Sequence, residues 1–91
     1  MLVRLRFFAS LRERLRRGED ACELPETATV ADLWEVLCRQ YPQLRELSGS
    51  ISFAVNREYV EREHRLAAND EVALIPPVSG GRDVRDRLAT H

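Results

Sequence analysis

Ninety-one residues are enough for one small domain with a single modest core, and too few for two. Hydrophobic residues make up 44% and charged residues 32%, and the net charge is −1. That balance fits an ordinary soluble chain and gives no electrostatic case for nucleic acid.

No apolar run approaches the length of a membrane span, and Arg4 and Arg6 interrupt the only N-terminal stretch that resembles a secretory signal. Cys22 and Cys38 stand in no metal-ligand spacing. A cytoplasmic protein with reduced thiols, no membrane and no metal is the expectation.

In chain order, residues 2–9 alternate and predict a strand, with Val3, Leu5, Phe7 and Ala9 on one face and Arg4, Arg6 and Phe8 on the other. Phe8 is an aromatic on an otherwise charged face, which marks it as a candidate for a partner-binding patch. Residues 11–17 favour helix and predict a short helix or turn ending at Gly18. A second short strand is expected at residues 22–24, closed by Pro25.

The clearest helix follows. Thr29 is its expected N-cap, with Asp32 three residues on in a variant of the capping box. Val30, Leu33, Trp34, Leu37 and Tyr41 draw one apolar stripe, and Pro42 disfavours helical geometry at Tyr41. Cys38 lies beside the stripe as a small buried side chain.

Residues 51–55 alternate again, Asn56-Arg57-Glu58 has turn chemistry, and Tyr59-Val60 can return as a short strand. After a turn at residues 66–70 comes a last strand, residues 71–75. Val72 and Leu74 should face the helix, Ala73 and Ile75 the opposite side. One helix cannot cover both faces of a sheet. The expected fold class is therefore α+β, a mixed sheet with one main helix packed on one face and the other face left available.

The last strand runs through Pro76 and Pro77 into Val78-Ser79-Gly80-Gly81. The prolines stop sheet pairing and hold the backbone extended. Paired glycines remove side-chain bulk, so such a tail can thread a narrow channel. No credible active site accompanies it. His64 and His91 have no partners for catalysis, Ser48 and Ser50 have no adjacent base, and Gly80-Gly81 is wrongly placed for a phosphate loop.

Leu5-Arg6-Phe7-Phe8-Ala9, Arg12-Glu13, Val55-Asn56 and above all the stretch from Asp70 through Pro76-Pro77 to Gly81 resemble the small-subunit family of molybdopterin synthase, ubiquitin-like β-grasp sulfur carriers. The resemblance covers residues 1–81 in order. Thiamine-pathway sulfur carriers are similar but usually shorter, and they lack the double proline.

The resemblance implies a sulfur-donor subunit with no active site of its own and no bound cofactor. An E1-like activating enzyme uses ATP to adenylylate the C-terminal glycine carboxylate. Sulfur from a sulfurtransferase then gives a thiocarboxylate. The tail enters the large synthase subunit, in a heterotetramer, and sulfur passes to cyclic pyranopterin monophosphate to build the dithiolene of the molybdenum cofactor. On this resemblance Gly81 is the acceptor carbon and Gly80 its steric companion. The docking contacts are Phe8, Ile75, Pro76, Pro77 and Val78, with Arg4 and Arg6 nearby.

Family members normally end at the diglycine, whereas Arg82 to His91 follow here. Gly81 as encoded carries an amide, which has no free oxygen to attack ATP. Three readings compete: a protease removes residues 82–91, the chain is a divergent binding module with a vestigial diglycine, or the extension is a fusion or stop-codon remnant. Processing is preferred, with residues 82–91 expected as a flexible extension of a domain spanning 1–81. Sulfur delivery to thiamine, tRNA or an amino acid stays open as the alternative carrier function. All fourteen basic residues are arginine. GC-rich coding explains that, and it also leaves no side-chain amine to capture an activated acyl group.

Overall fold

The computed structural model describes residues 1–77; the rest of the chain, including Val78, Gly80 and Gly81, lies outside the described residues. Five strands form one mixed sheet in the order β2-β1-β5-β3-β4. They are β1 (Leu2–Phe7), β2 (Glu19–Glu23), β3 (Ser52–Val55), β4 (Glu58–Val60) and β5 (Glu71–Ile75). β1 and β5 are parallel and central, and the other pairings are antiparallel. Helix α1 (Ala9–Leu15) links β1 to β2, and helix α2 (Val30–Gln40) links β2 to β3.

Strand parity sets the layers. Val3, Leu5 and Phe7 of β1, Phe53 and Val55 of β3, and Val72 and Leu74 of β5 are buried in one core with Leu33, Trp34 and Leu37 of α2. This is the mixed sheet with one main helix on one face that the alternation predicts, a β-grasp.

α2 starts and stops as the sequence requires. The Asp32 N–H donates to Thr29 Oγ1 at 3.3 Å, and the Thr29 N–H donates to Asp32 Oδ2 at 2.9 Å, a reciprocal capping box. At the other end Pro42 opens a 3₁₀ turn, Pro42–Leu47, that buries Leu44. Trp34 packs edge-on to Phe53, ring centroids 5.8 Å apart, and donates its indole N–H to Ser48 Oγ at 3.1 Å.

The β3–β4 turn is two residues, Asn56 and Arg57, both with positive φ (51° and 74°), which matches the strand twist. Asn56 also clamps the turn before β5. Its Nδ2 donates to Asp70 Oδ1 at 2.9 Å, and its Oδ1 accepts from the Glu71 N–H at 3.1 Å.

Three local expectations differ from the fold. The first strand ends at Phe7, not at residue 9: Phe8 is the extended N-cap of α1, and Ala9 turns the chain with φ 49°. Leu11 and Leu15, four apart, drive that helix into the core. The left-handed end of α1 falls on Arg16 (φ 59°), not on Gly18. β2 begins at Glu19, three residues earlier than its apolar content predicts, because Glu19 pairs directly with Arg6 of β1.

Candidate functional site

The sheet face away from α2 is the candidate site, and the pairing register assembles it. Opposed residues share a face. Arg4 stands opposite Glu71 and Arg6 opposite Ala73; Ser52 faces Ile75, Ala54 faces Ala73, and Tyr59 faces Ala54. The result is a small apolar strip, Ala54, Ala73 and Ile75, with arginines along one side.

Phe8 lies at the end of β1 and is 41% exposed, one of two large exposed hydrophobics along with Leu2 among the described residues. The Arg6 guanidinium sits 5.6 Å from the centre of its ring. Arg6 also reaches Glu71, Nη1 to Oε2 at 3.9 Å, and Arg4 Nη2 donates to the Asn69 carbonyl at 3.4 Å. Arg4 and Arg6 line a polar hollow of about 290 Å³ with Glu19, Asp20 and Glu71. Two guanidiniums and three carboxylates share it, so it carries no strong anion preference.

Ile75 sits on the expected face but is 6% exposed, and it stands outside the core cluster beneath the helix. Pro76 is buried and Pro77 exposed. The structure thus gathers Phe8, Arg4, Arg6 and Ile75 on or beside one face, with Phe8 rather than Ile75 as the accessible apolar group. Val78, Gly80 and Gly81 fall outside the described residues.

Because β1 and β5 are parallel, with Phe7 opposite Leu74, the chain leaves β5 at the end of the sheet where Phe8 sits. That is the geometric link between the tail and the exposed aromatic. Pro76 and Pro77 have no N–H to extend the ladder.

The remaining polar groups serve the fold. Burial raises the thiol pKa of Cys22 and of Cys38, and Asp20 and Glu23 add to the effect at Cys22, so neither is a reactive thiolate. Asp20 and Tyr41 form a contact that sequence reading missed. The Tyr41 hydroxyl donates to Asp20 Oδ2 at 3.0 Å, and Arg17 Nη1 reaches the same oxygen at 3.1 Å. No group of three His, Cys, Asp or Glu side chains among the described residues could hold a metal ion. No helix there is long and apolar enough to cross a membrane.

The ThiS family matches residues 5–81, most of the chain and all of the described sheet but the first half of β1. The chain belongs to the ThiS family. Among its relatives, the molybdopterin synthase sulfur carrier subunit of Chlamydomonas reinhardtii is 36% identical over 83 residues, covering 89% of this chain and 100% of that one. The subunit of the same name from Escherichia coli (strain K12) is also 36% identical over 83 residues, covering 88% of this chain and 100% of its own. The crystal structure of SAMP1 from Haloferax volcanii superposes with a TM-score of 0.79 at 30% identity, covering 89% of this chain and all of that one. Both relatives are matched over their whole length, while about a tenth of this chain lies outside those matches, and the family match stops at Gly81.

Proposed function

We propose that this protein is a cytoplasmic sulfur carrier, the small subunit of a molybdopterin synthase, and that it works from a C-terminal Gly81 exposed by removal of residues 82–91. The observation that carries the reading is the run from the central strand β5 into Pro76-Pro77-Val78-Ser79-Gly80-Gly81, with a family match that stops at Gly81. The names of the Chlamydomonas and Escherichia coli relatives favour the pterin pathway over the thiamine one.

In this reading the Gly81 carboxylate oxygen attacks the α-phosphorus of ATP on an E1-like activating enzyme, and pyrophosphate departs. Sulfur at the sulfide level, delivered by a sulfurtransferase, displaces AMP and leaves a thiocarboxylate. ATP is the activating enzyme's substrate and not a cofactor of this chain. The loaded tail enters the large synthase subunit in a heterotetramer, and two rounds of transfer place two sulfurs on cyclic pyranopterin monophosphate. This chain contributes no catalytic side chain. It supplies the reactive carbon of Gly81, the slender Gly80 behind it, and a docking face. Phe8, Pro77 and Val78 make that contact, with Arg4 and Arg6 at its edge, while the buried Ile75 and Pro76 hold the strand end that carries it. A buried apolar centre with a charged rim suits a transient interface.

The test is reconstitution. The chain ending at Gly81 is incubated with ATP, an activating enzyme and a sulfur source, then with the large subunit and cyclic pyranopterin monophosphate. Exchange of one oxygen for sulfur at Gly81, followed by pterin dithiolene formation, is the expected result. A thiocarboxylate that forms but is not consumed would move the assignment to another sulfur pathway. No activation at all would leave a binding module.

A further inference from the structure

Charge is unevenly spread along this chain. Residues 1–18 carry six arginines and one glutamate, whereas residues 19–77 carry five arginines and twelve acidic residues. The fold gathers part of the basic excess in one place. Arg12, Arg16 and Arg17 line an open hollow of about 620 Å³ with Ala9, Glu13 and Gly18. The Phe7 N–H donates to the Gly18 carbonyl at 2.9 Å, so the hollow lies at the end of β1, beside the exposed Phe8. Three guanidiniums against one carboxylate set it apart from the hollow lined by Arg4 and Arg6, where three carboxylates outweigh two guanidiniums.

We infer that this hollow, with Phe8 at its rim, is the docking surface for an acidic segment of a partner protein. Carboxylates of the segment pair with Arg12 and Arg16, and an apolar side chain beside them packs on Phe8. The inference deepens the proposed docking face at Phe8, and it rests on that reading only for which protein carries the segment.

Folding does not account for the cluster. Arg14 pairs with Glu46 at 3.5 Å, and Arg17 pairs with Asp20 at 3.1 Å beside the Tyr41 ring. Arg12 and Arg16 have no ion pair among the described residues, and Glu13, in the same hollow, bridges to neither. A positive charge suits the C-terminal turn of α1. Two like charges four residues apart there oppose the helix. The local backbone is nevertheless committed to this arrangement. A Cβ at Gly18 would stand 3.3 Å from Arg12 Nε, so the end of that side chain lies along the bare glycine. Arg16 has φ 59°, a left-handed conformation that costs a non-glycine residue energy. Guanidiniums without carboxylates of their own keep their charge available, and they steer an acidic partner as it approaches. A protein segment fits this surface better than a small anion. The hollow is open, its three arginines are exposed, and an aromatic stands at its rim with nothing to offer a lone phosphate. Carboxylates match the planar fork of arginine two bonds at a time.

The test is a nuclear magnetic resonance titration of the full chain with a synthetic peptide of glutamate and glycine built around one leucine. Saturable shifts confined to residues 8–18 are expected, with roughly tenfold weaker binding as salt rises from about 20 to about 200 mM. Arg12→Glu and Arg16→Glu should each cut the peptide affinity roughly tenfold, while Arg39→Glu, the same charge change on α2, leaves it within about twofold. Arg12→Glu should melt no lower than wild type, because it turns a like-charge pair with Arg16 into an opposite one. Against the large synthase subunit, the reversals at 12 and 16 should slow association, whereas Phe8→Ala speeds dissociation. Shifts spread over all the arginines, or reversals at 12 and 16 that leave peptide binding unchanged, would overturn the inference. So would tripolyphosphate that displaces the peptide at equal charge, which makes the hollow a phosphate site. Shifts at residues 8–18 that grow with protein concentration alone would overturn it too, by seating a second copy there. A large subunit that binds no form of the chain would sink the functional reading, and the peptide titration would still decide the inference.

Discussion

Arg6 holds its guanidinium 5.6 Å from the ring centre of Phe8, an aromatic that is 41% exposed at the end of β1. The pair lies where β5 hands the chain over to the tail, since Phe7 is opposite Leu74 in the parallel ladder. An exposed aromatic fixed by a cation costs little to desolvate on one side and presents a rigid apolar surface on the other.

Phe8→Ala is therefore expected to weaken binding to the large synthase subunit by about 2 kcal/mol, roughly thirtyfold in Kd. Thermal stability should change little, because Phe8 is exposed and outside the core cluster. Titration calorimetry against the large subunit, paired with a thermal melt, checks both halves. Equal affinity for the variant would remove Phe8 from the interface.

Ile75→Ala should behave differently. Ile75 is 6% exposed, so truncation removes buried area and is expected to cost about 2 kcal/mol of folding stability. Urea unfolding reads this directly. A loss of partner affinity without a loss of stability would show that the side chain is accessible in solution.

Thr29→Ala removes the acceptor for the Asp32 N–H and breaks the capping box of α2. The expected cost is about 1 kcal/mol, with no effect on the tail's chemistry. Urea unfolding gives the first number and a thiocarboxylation assay the second.

Those predictions rest on features the sequence shows to different degrees. The cap at Thr29 and the stripe from Val30 to Leu37 were legible because local chemistry and periodicity agree there. So was the parity of β5, since Val72 and Leu74 are the residues that bury completely. The start of α1 was hidden because the alternation of β1 runs on through Phe8 and Ala9, and only the burial of Leu11 and Leu15 turns the chain away. Glu19 and Asp20 have poor strand propensity, and tertiary pairing with β1 overrides it. Ile75 was placed on the right face, but parity carries no information about what covers that face. The contact between Tyr41 and Asp20 joins residues 21 apart and has no local signature.

That contact gives the stability profile two pH-sensitive ends. Burial pushes the Asp20 carboxyl up, but hydrogen bonds from the Ala21 N–H and the Tyr41 hydroxyl, with Arg17 beside it, bring it below its ordinary 3.8. Its contribution is present above pH 3.8 and is lost as pH falls through the lower folded value. For Tyr41, burial and then Asp20 raise the hydroxyl above 10.0, so its contribution is present below pH 10.0 and is lost as pH rises through the folded value. Tyr41→Phe should cost about 1 kcal/mol near neutrality and flatten the alkaline arm; Asp20→Asn should flatten the acid arm. Unfolding free energies measured across both ranges check the signs.

A sulfur carrier of this kind needs Gly81 as a free, sulfur-bearing C-terminus. Intact-mass spectrometry of the protein isolated from its own cells, during active molybdenum cofactor synthesis, tests it most directly. The expected result is a species ending at Gly81 with one oxygen replaced by sulfur. A chain that keeps residues 82–91 under those conditions, with no shorter species, would contradict it.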